Sequence, residues 1–188
     1  PFAGREGKFV TTRNIKDRLI AEMLKNGAYK ITPSQADALA KIVLVDVTDK
    51  KTGKTKKTVN RDCVGRDAAV LLGKIGVKVG SDIRCIICET KFDHPFVQEE
   101  LMMPILPIVR VDNIDQAIDL AVKAEHGNRH TAHMHSKNID NLTRFARAVE
   151  TTIFVKNAPS YAALGFGGEG YCTFTIASRT GEGLTSTK

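Results

Sequence analysis

Cys85-Ile86-Ile87-Cys88 has the spacing of half a zinc site, two thiols close enough to share one ion. Zinc sites add a second Cys or His pair and hold the motif on a turn, whereas these thiols sit in an apolar run, so they read as core residues. His130, His133 and His135 lie close together. On a strand His133 and His135 share a face and His130 points the other way, so no metal site is expected from them. Gly165-Phe166-Gly167-Gly168-Glu169-Gly170 has the spacing G-x-G-x-x-G, which in a dinucleotide fold brings a pyrophosphate to a helix N-terminus. Such a fingerprint follows a strand, opens a helix and has an acidic residue about 20 positions on. Here the glycines run into Tyr171-Cys172-Thr173-Phe174, and the motif is set aside. Gly53-Lys54-Thr55 matches the end of a phosphate-binding loop, but Thr48 stands where that loop needs a glycine. Arg61-Asp62, Arg66-Asp67 and Asp93-His94 assemble no nucleophile, base and orienting group. Residue types and spacing alone stop short of a reaction.

The elements that must position these residues are easier to read. Ile15, Leu19, Ile20, Met23 and Leu24 form a helical stripe that Asn26-Gly27 stops, which predicts a helix over 15–25. Thr32, Pro33 and Gln35 resemble a capping box opening a helix through Leu39 and Ala40. The run Ile42 to Val47 reads as a strand, Asp67 to Ile75 as a short helix, and Ile83 to Cys88 as a strand buried on both faces. Ile105 to Val111 is a strand, and a helix starts at Asn113 with Gly127 past its end. A strand at Thr131 to His135, a helix from Ile139 to Val149 and a strand at Ile153 to Val155 follow. A glycine-rich loop over Ala158 to Gly170 and a last strand at Thr173 to Ala177 complete the order. Strands alternating with helices imply an α/β domain with a largely parallel sheet.

At 188 residues and 42% apolar content, one compact domain with a buried core is the default. No apolar run reaches the length of a membrane span, and the N-terminus is polar where a secretory signal needs an apolar stretch. No membrane association is expected. Cys63, Cys85, Cys88 and Cys172 are too few for a disulfide framework and fit reduced thiols in a cytoplasmic setting. The net charge of +7 raises the question of a polyanion, but five lysines crowd into residues 50–57 around Gly53, which reads as a solvated turn. No nucleic-acid partner is expected.

From about Val59 onward a series of segments appears in one order. They are Arg61-Asp62-Cys63-Val64-Gly65-Arg66-Asp67-Ala68, His94-Pro95-Phe96, Glu100-Leu101-Met102-Met103-Pro104-Ile105-Leu106-Pro107, His130-Thr131-Ala132 and Met134-His135-Ser136. Phe154-Val155-Lys156-Asn157, Gly167-Gly168-Glu169-Gly170 and Thr180-Gly181-Glu182-Gly183 follow. In these the chain closely resembles the coenzyme A-acylating propionaldehyde and acetaldehyde dehydrogenases of bacterial microcompartments, within the aldehyde dehydrogenase superfamily. Residues 10–58 fit more loosely and Pro1 to Lys8 poorly.

The resemblance implies an aldehyde dehydrogenase-like catalytic domain over residues 1–188, its largely parallel sheet flanked by helices, without the dinucleotide-binding domain. It implies chemistry in which a cysteine thiolate attacks a small aldehyde, hydride leaves to NAD, and coenzyme A, the co-substrate, releases the acyl group as acyl-CoA. Glu100 then matches the glutamate that holds the nicotinamide ribose, and His130 a histidine beside the nicotinamide and reacting carbon. The nucleophile follows a proline just before the stretch matching Phe9 and Val10, but here Pro1 is followed by Phe2, and none of the four cysteines stands there. The nucleophilic cysteine is therefore not found in this chain: it lies upstream, is a modified or disordered residue, or is lacking. The isolated chain is expected to be inactive without its cofactor-binding half. A homo-oligomer in the cytoplasm, inside a microcompartment, is also implied. The alternative is a catalytically inactive dehydrogenase-like module that serves assembly or binding.

Overall fold

The computed structural model describes residues 9–48, 53, 55–159 and 162, and the chain divides into two compact units, Pro1–Asn113 and Ile114–Lys188. The first unit is built on four parallel strands. Strand β1 (Phe9–Thr12) leads into helix α1 (Arg13–Lys25), and β2 (Ala28–Lys30) into helix α2 (Pro33–Val43). An antiparallel pair, β3 (Leu44–Thr48) and β4 (Thr55–Val59), comes next, followed by the short helix α3 (Ala68–Gly73). Strand β5 (Cys85–Thr90), the four-residue helix α4 (Pro95–Gln98) and β6 (Ile105–Val111) complete it. The sheet order is β1-β6-β5-β2, with Ile86 opposite Ile105 and Ala28 opposite Cys85.

Alternating side chains of the central strands serve two cores. Ile86, Cys88 and Ile105 join Leu39, Val43, Leu71, Leu72 and Phe96 on one face. Ile87 and Ile108 join Ile20 of α1 and Ala28 on the other. Three consecutive buried residues, Ile86 to Cys88, are what a parallel strand covered on both sides requires. Removing each such aliphatic side chain from water is worth about 1.5–3 kcal/mol.

The local signals act as read. Thr32 Oγ1 accepts from the Gln35 N–H at 3.2 Å while Gln35 Oε1 accepts from the Thr32 N–H at 2.9 Å, and Pro33 occupies the first turn. Gly27 has φ +85°, and a Cβ there would lie 3.1 Å from the Asp82 carbonyl, so a side chain fits neither the turn nor the space.

The second unit is a β-α-β crossover preceded by a helix. Helix α5 (Ile114–Glu125) is followed by β7 (Thr131–Met134), α6 (Ile139–Val149) and β8 (Ile153–Lys156), with β7 and β8 parallel. Ile118, Ala132, Phe145 and Val149 form its core, and Phe145 meets Phe154 edge to face at 5.6 Å. Asn138 caps α6 by accepting from the Asn141 N–H, and an Arg144–Asp115 ion pair ties α6 to α5.

Several boundaries differ from expectation. Helix α2 runs on to Val43, because Ala36, Leu39, Ala40 and Val43 form one buried helical stripe, and β3 starts only at Leu44. The lysine-rich stretch is partly strand: Thr55 to Val59 pairs with Leu44 to Thr48 in register, Asp46 facing Lys57. Strands β1, β2 and β4 and helix α4 were not anticipated. The glycine-rich loop beyond Pro159, the last expected strand and the Pro1-Phe2 position lie outside the described residues. No helix among the described residues is long and apolar enough to cross a membrane.

Candidate active site

Glu100 lies in the connection from α4 to β6, exposed, with buried Phe96 and Val97 before it and buried Leu101 after it. Short as it is, α4 is well specified. The His94 ring caps it, Nδ1 accepting the Phe96 N–H at 3.1 Å, Pro95 fills the first position, and the Glu99 N–H reaches the Pro95 carbonyl at 2.9 Å. On the far side of Glu100, Met102 takes φ +54°, a conformation few side chains adopt, and its carbonyl accepts the Gly65 N–H at 3.2 Å. The Pro104 carbonyl accepts from the Ile86 N–H at 2.8 Å. Glu100 is thus exposed on a tethered loop, and a carboxylate there is an acceptor group.

His94 is almost enclosed, its side chain 12% exposed, with Nε2 3.4 Å from Asp37 Oδ1 on α2. That approach is electrostatic and lacks hydrogen-bond geometry, since Nε2 has no hydrogen-bond partner among the described residues. Burial lowers the pKa of His94 and outweighs the Asp37 charge, which acts the other way. Because Nδ1 accepts a backbone N–H, the neutral ring carries its proton on Nε2.

In the second unit, His130 precedes β7 and is half-buried. Its N–H donates to Glu125 Oε1 at 3.1 Å, its carbonyl accepts from the Ile153 N–H at 3.1 Å, and Nδ1 lies 2.6 Å from Thr131 Oγ1. Arg129, immediately before it, has φ +54° and is fixed three ways. Its carbonyl accepts from the Thr152 N–H and from Thr152 Oγ1, and its guanidinium pairs with Glu150 at 2.8 Å. Left-handed backbone at a non-glycine residue persists where its surroundings over-determine it. Ring nitrogen Nε2 of His130 has no partner among the described residues, so it is the atom able to exchange a proton with a bound molecule.

The other sequence candidates are placed differently. Strand β7 holds His133, half-buried, while His135 lies beyond its end and is exposed. No group of three metal-binding side chains occurs among the described residues. Cys88 is buried and its thiol pushed up to about 12 by burial and then by Cys85; burial pushes Cys85 up to about 11. Thiols so raised stay protonated near neutral pH and are poor nucleophiles. Gly53 lies in the β3–β4 hairpin rather than ahead of a helix, so the stretch beginning there is no phosphate loop. Sequence reasoning missed the His94–Asp37 approach and the Thr131 contact. The first was signalled in part by His94-Pro95, a cap followed by a first-turn proline.

An acetylating acetaldehyde dehydrogenase of Escherichia coli is 46% identical over 183 residues, 97% of this chain and 38% of that protein. A propionaldehyde dehydrogenase from the Clostridium phytofermentans fucose utilisation microcompartment is 54% identical, with a TM-score of 0.84 over 96% of this chain and 40% of its own. The Rhodopseudomonas palustris propionaldehyde dehydrogenase, solved with coenzyme A and an acylated cysteine, is 51% identical, with a TM-score of 0.85 over 99% of this chain and 40% of its own. The chain therefore spans about two fifths of the length of these relatives. The family model described as aldehyde dehydrogenase matches residues 8–185, and the chain belongs to the aldehyde dehydrogenase family.

Proposed function

We propose that this chain is a catalytic part of an enzyme that converts a short-chain aldehyde and coenzyme A to acyl-CoA through a cysteine thioester. The observation that carries the proposal is identity of about half over nearly the whole chain to a propionaldehyde dehydrogenase solved with coenzyme A and an acylated cysteine. Both compact units belong, on this reading, to one catalytic domain over residues 1–188, which works together with a cofactor-binding part and as a homo-oligomer. The aldehyde is propionaldehyde or acetaldehyde, and the place of action is a bacterial microcompartment, by likeness to relatives so described.

NAD would supply a hydride acceptor and coenzyme A an acyl acceptor. The chain's own residues divide the remaining work. Glu100, exposed on its tethered loop, accepts hydrogen bonds from the nicotinamide ribose and thereby orients the ring. His130 presents Nε2 and takes or returns a proton during acyl transfer. Cys85 and Cys88 are excluded as nucleophiles by their burial and raised pKa values, so the thioester forms on another cysteine of the working enzyme.

The test is NAD binding to the full-length protein that carries this chain, measured by calorimetry for the native protein and Glu100→Gln. A hydrogen bond to a charged group contributes about 1.5–3 kcal/mol, so the variant should bind NAD about ten- to a hundredfold more weakly. Unchanged NAD affinity would remove Glu100 from the cofactor site. Absence of acyl-CoA formation by the native protein, with NAD still bound, would favour an inactive module.

A further inference from the structure

We infer that Thr131 sets the tautomer of His130, holding the neutral ring's proton on Nδ1 and leaving Nε2 as a bare acceptor. This rests on the proposal that His130 moves a proton, and it names the residue that fits the ring for that task.

The geometry behind it is local and complete. Thr131 Oγ1 and His130 Nδ1 are 2.6 Å apart, a hydrogen bond in either direction. The backbone that carries the ring has little freedom to adjust. Glu125 holds the His130 N–H, Ile153 holds its carbonyl, and Arg129 before it is pinned in a left-handed conformation by Thr152 and Glu150. Thr131 itself is the first residue of β7, opposite Ile153, and as a β-branched residue in a strand has few rotamers open to its hydroxyl. The contact is therefore part of the framework that fixes the ring.

The direction of the bond follows from the two charge states. In the imidazolium both ring nitrogens donate, so Nδ1–H must point at Thr131 Oγ1 as acceptor. If the neutral ring keeps that same bond, a single proton on Nε2 comes and goes and nothing else has to turn. If instead the hydroxyl donated to Nδ1 in the neutral ring, each protonation would require the hydroxyl to rotate and reverse its bond. The first arrangement costs no reorganisation at the moment of transfer. It also makes Nε2 the lone-pair nitrogen, which is what removal of a proton from an incoming thiol demands: the S–H bond breaks, its electron pair stays on sulfur, and the proton goes to Nε2. A neutral histidine in water prefers the opposite tautomer, so the inference is not the default.

The experiment uses the full-length protein with histidine labelled at its ring nitrogens. Nuclear magnetic resonance correlation of those nitrogens with the ring carbon protons would be recorded at pH about 9, well above the ordinary histidine value of about 6.5. His130→Gln assigns the signal among the histidines of that protein. The expected result is a neutral His130 protonated on Nδ1, a shift to Nε2 protonation in Thr131→Val, and return of the Nδ1 form in Thr131→Ser. An Nε2-protonated His130 in the native protein would overturn the inference, as would a Thr131→Val variant with the native tautomer. The tautomer is read without turnover, so its failure is separate from failure of the His130 role, which undiminished acyl transfer by His130→Gln would reveal.

Discussion

A nearly enclosed histidine bonded through one nitrogen to a backbone N–H cannot change charge without losing something. Protonating His94 would put a hydrogen on Nδ1, facing the Phe96 N–H it now accepts, and would undo the cap of α4. Burial lowers the folded-state pKa of this ring below its ordinary value, the Asp37 charge opposing the effect. A histidine with a depressed folded pKa contributes stability that is present above the unfolded value of about 6.5 and is lost as pH falls through the folded value. The native protein should therefore lose stability below pH about 6.5 more steeply than His94→Asn, which keeps an acceptor at the cap but does not titrate. Denaturant midpoints for both proteins at a series of pH values would show it, and parallel curves would rule it out. At this scale, sequence alone could show that His94 precedes a proline, that Glu100 belongs to a familiar run and that His130 precedes a threonine. It could not show the approach to Asp37, separated from His94 by 57 residues and brought close only by folding.

Among the elements, those legible beforehand are the ones whose signals are local. Thr32, Pro33 and Gln35 announce the start of α2 because all three act within one turn, and the stripe from Ile114 to Val122 announces α5 in the same way. Strand β6 was readable to the residue, since an apolar run broken only by Arg110 leaves a largely buried parallel strand as its natural state. What escaped is short or decided by a distant partner. Strands β1 and β2 have four and three residues and exist through pairing with β6 and β5, more than fifty positions away. Strand β4 was hidden by its lysines, because cross-strand pairing with β3 favours extension where composition suggests a turn. The capping box offers a direct check. Thr32→Ala removes the acceptor for the Gln35 N–H while leaving the reciprocal bond from Gln35 to the Thr32 N–H, and should cost about 1 kcal/mol in a denaturant melt. Thr32→Asn should restore most of that loss; a Thr32→Ala protein as stable as the native one would mean that Pro33 and the buried stripe specify the helix start unaided.

For the molecule as a whole, the fold class was readable from the alternation of helices and strands, whereas the division into two compact units was not, because no shift in composition marks Asn113. The unequal covering of the sheets has a consequence for stability within the first unit. Strands β5 and β6 are central, paired on both sides and packed against a core on each face, whereas β3 and β4 form a two-stranded pair with Val45 and Val47 exposed. Local opening free energies run from near zero where backbone hydrogen bonds meet solvent up to the global value in a doubly covered core. A two-stranded antiparallel pair is marginal by itself, and the Asp46–Lys57 ion pair across this one is exposed and worth at most about 1 kcal/mol. Amide hydrogen exchange should therefore be slowest at Ile86 to Cys88 and at Ile108 and Val109, and faster by orders of magnitude along Val45 to Val47 and Lys57 to Thr58. Protection of the hairpin equal to that of β5 would show that a further surface covers it in solution, and would shift attention from the isolated fold to its assembly.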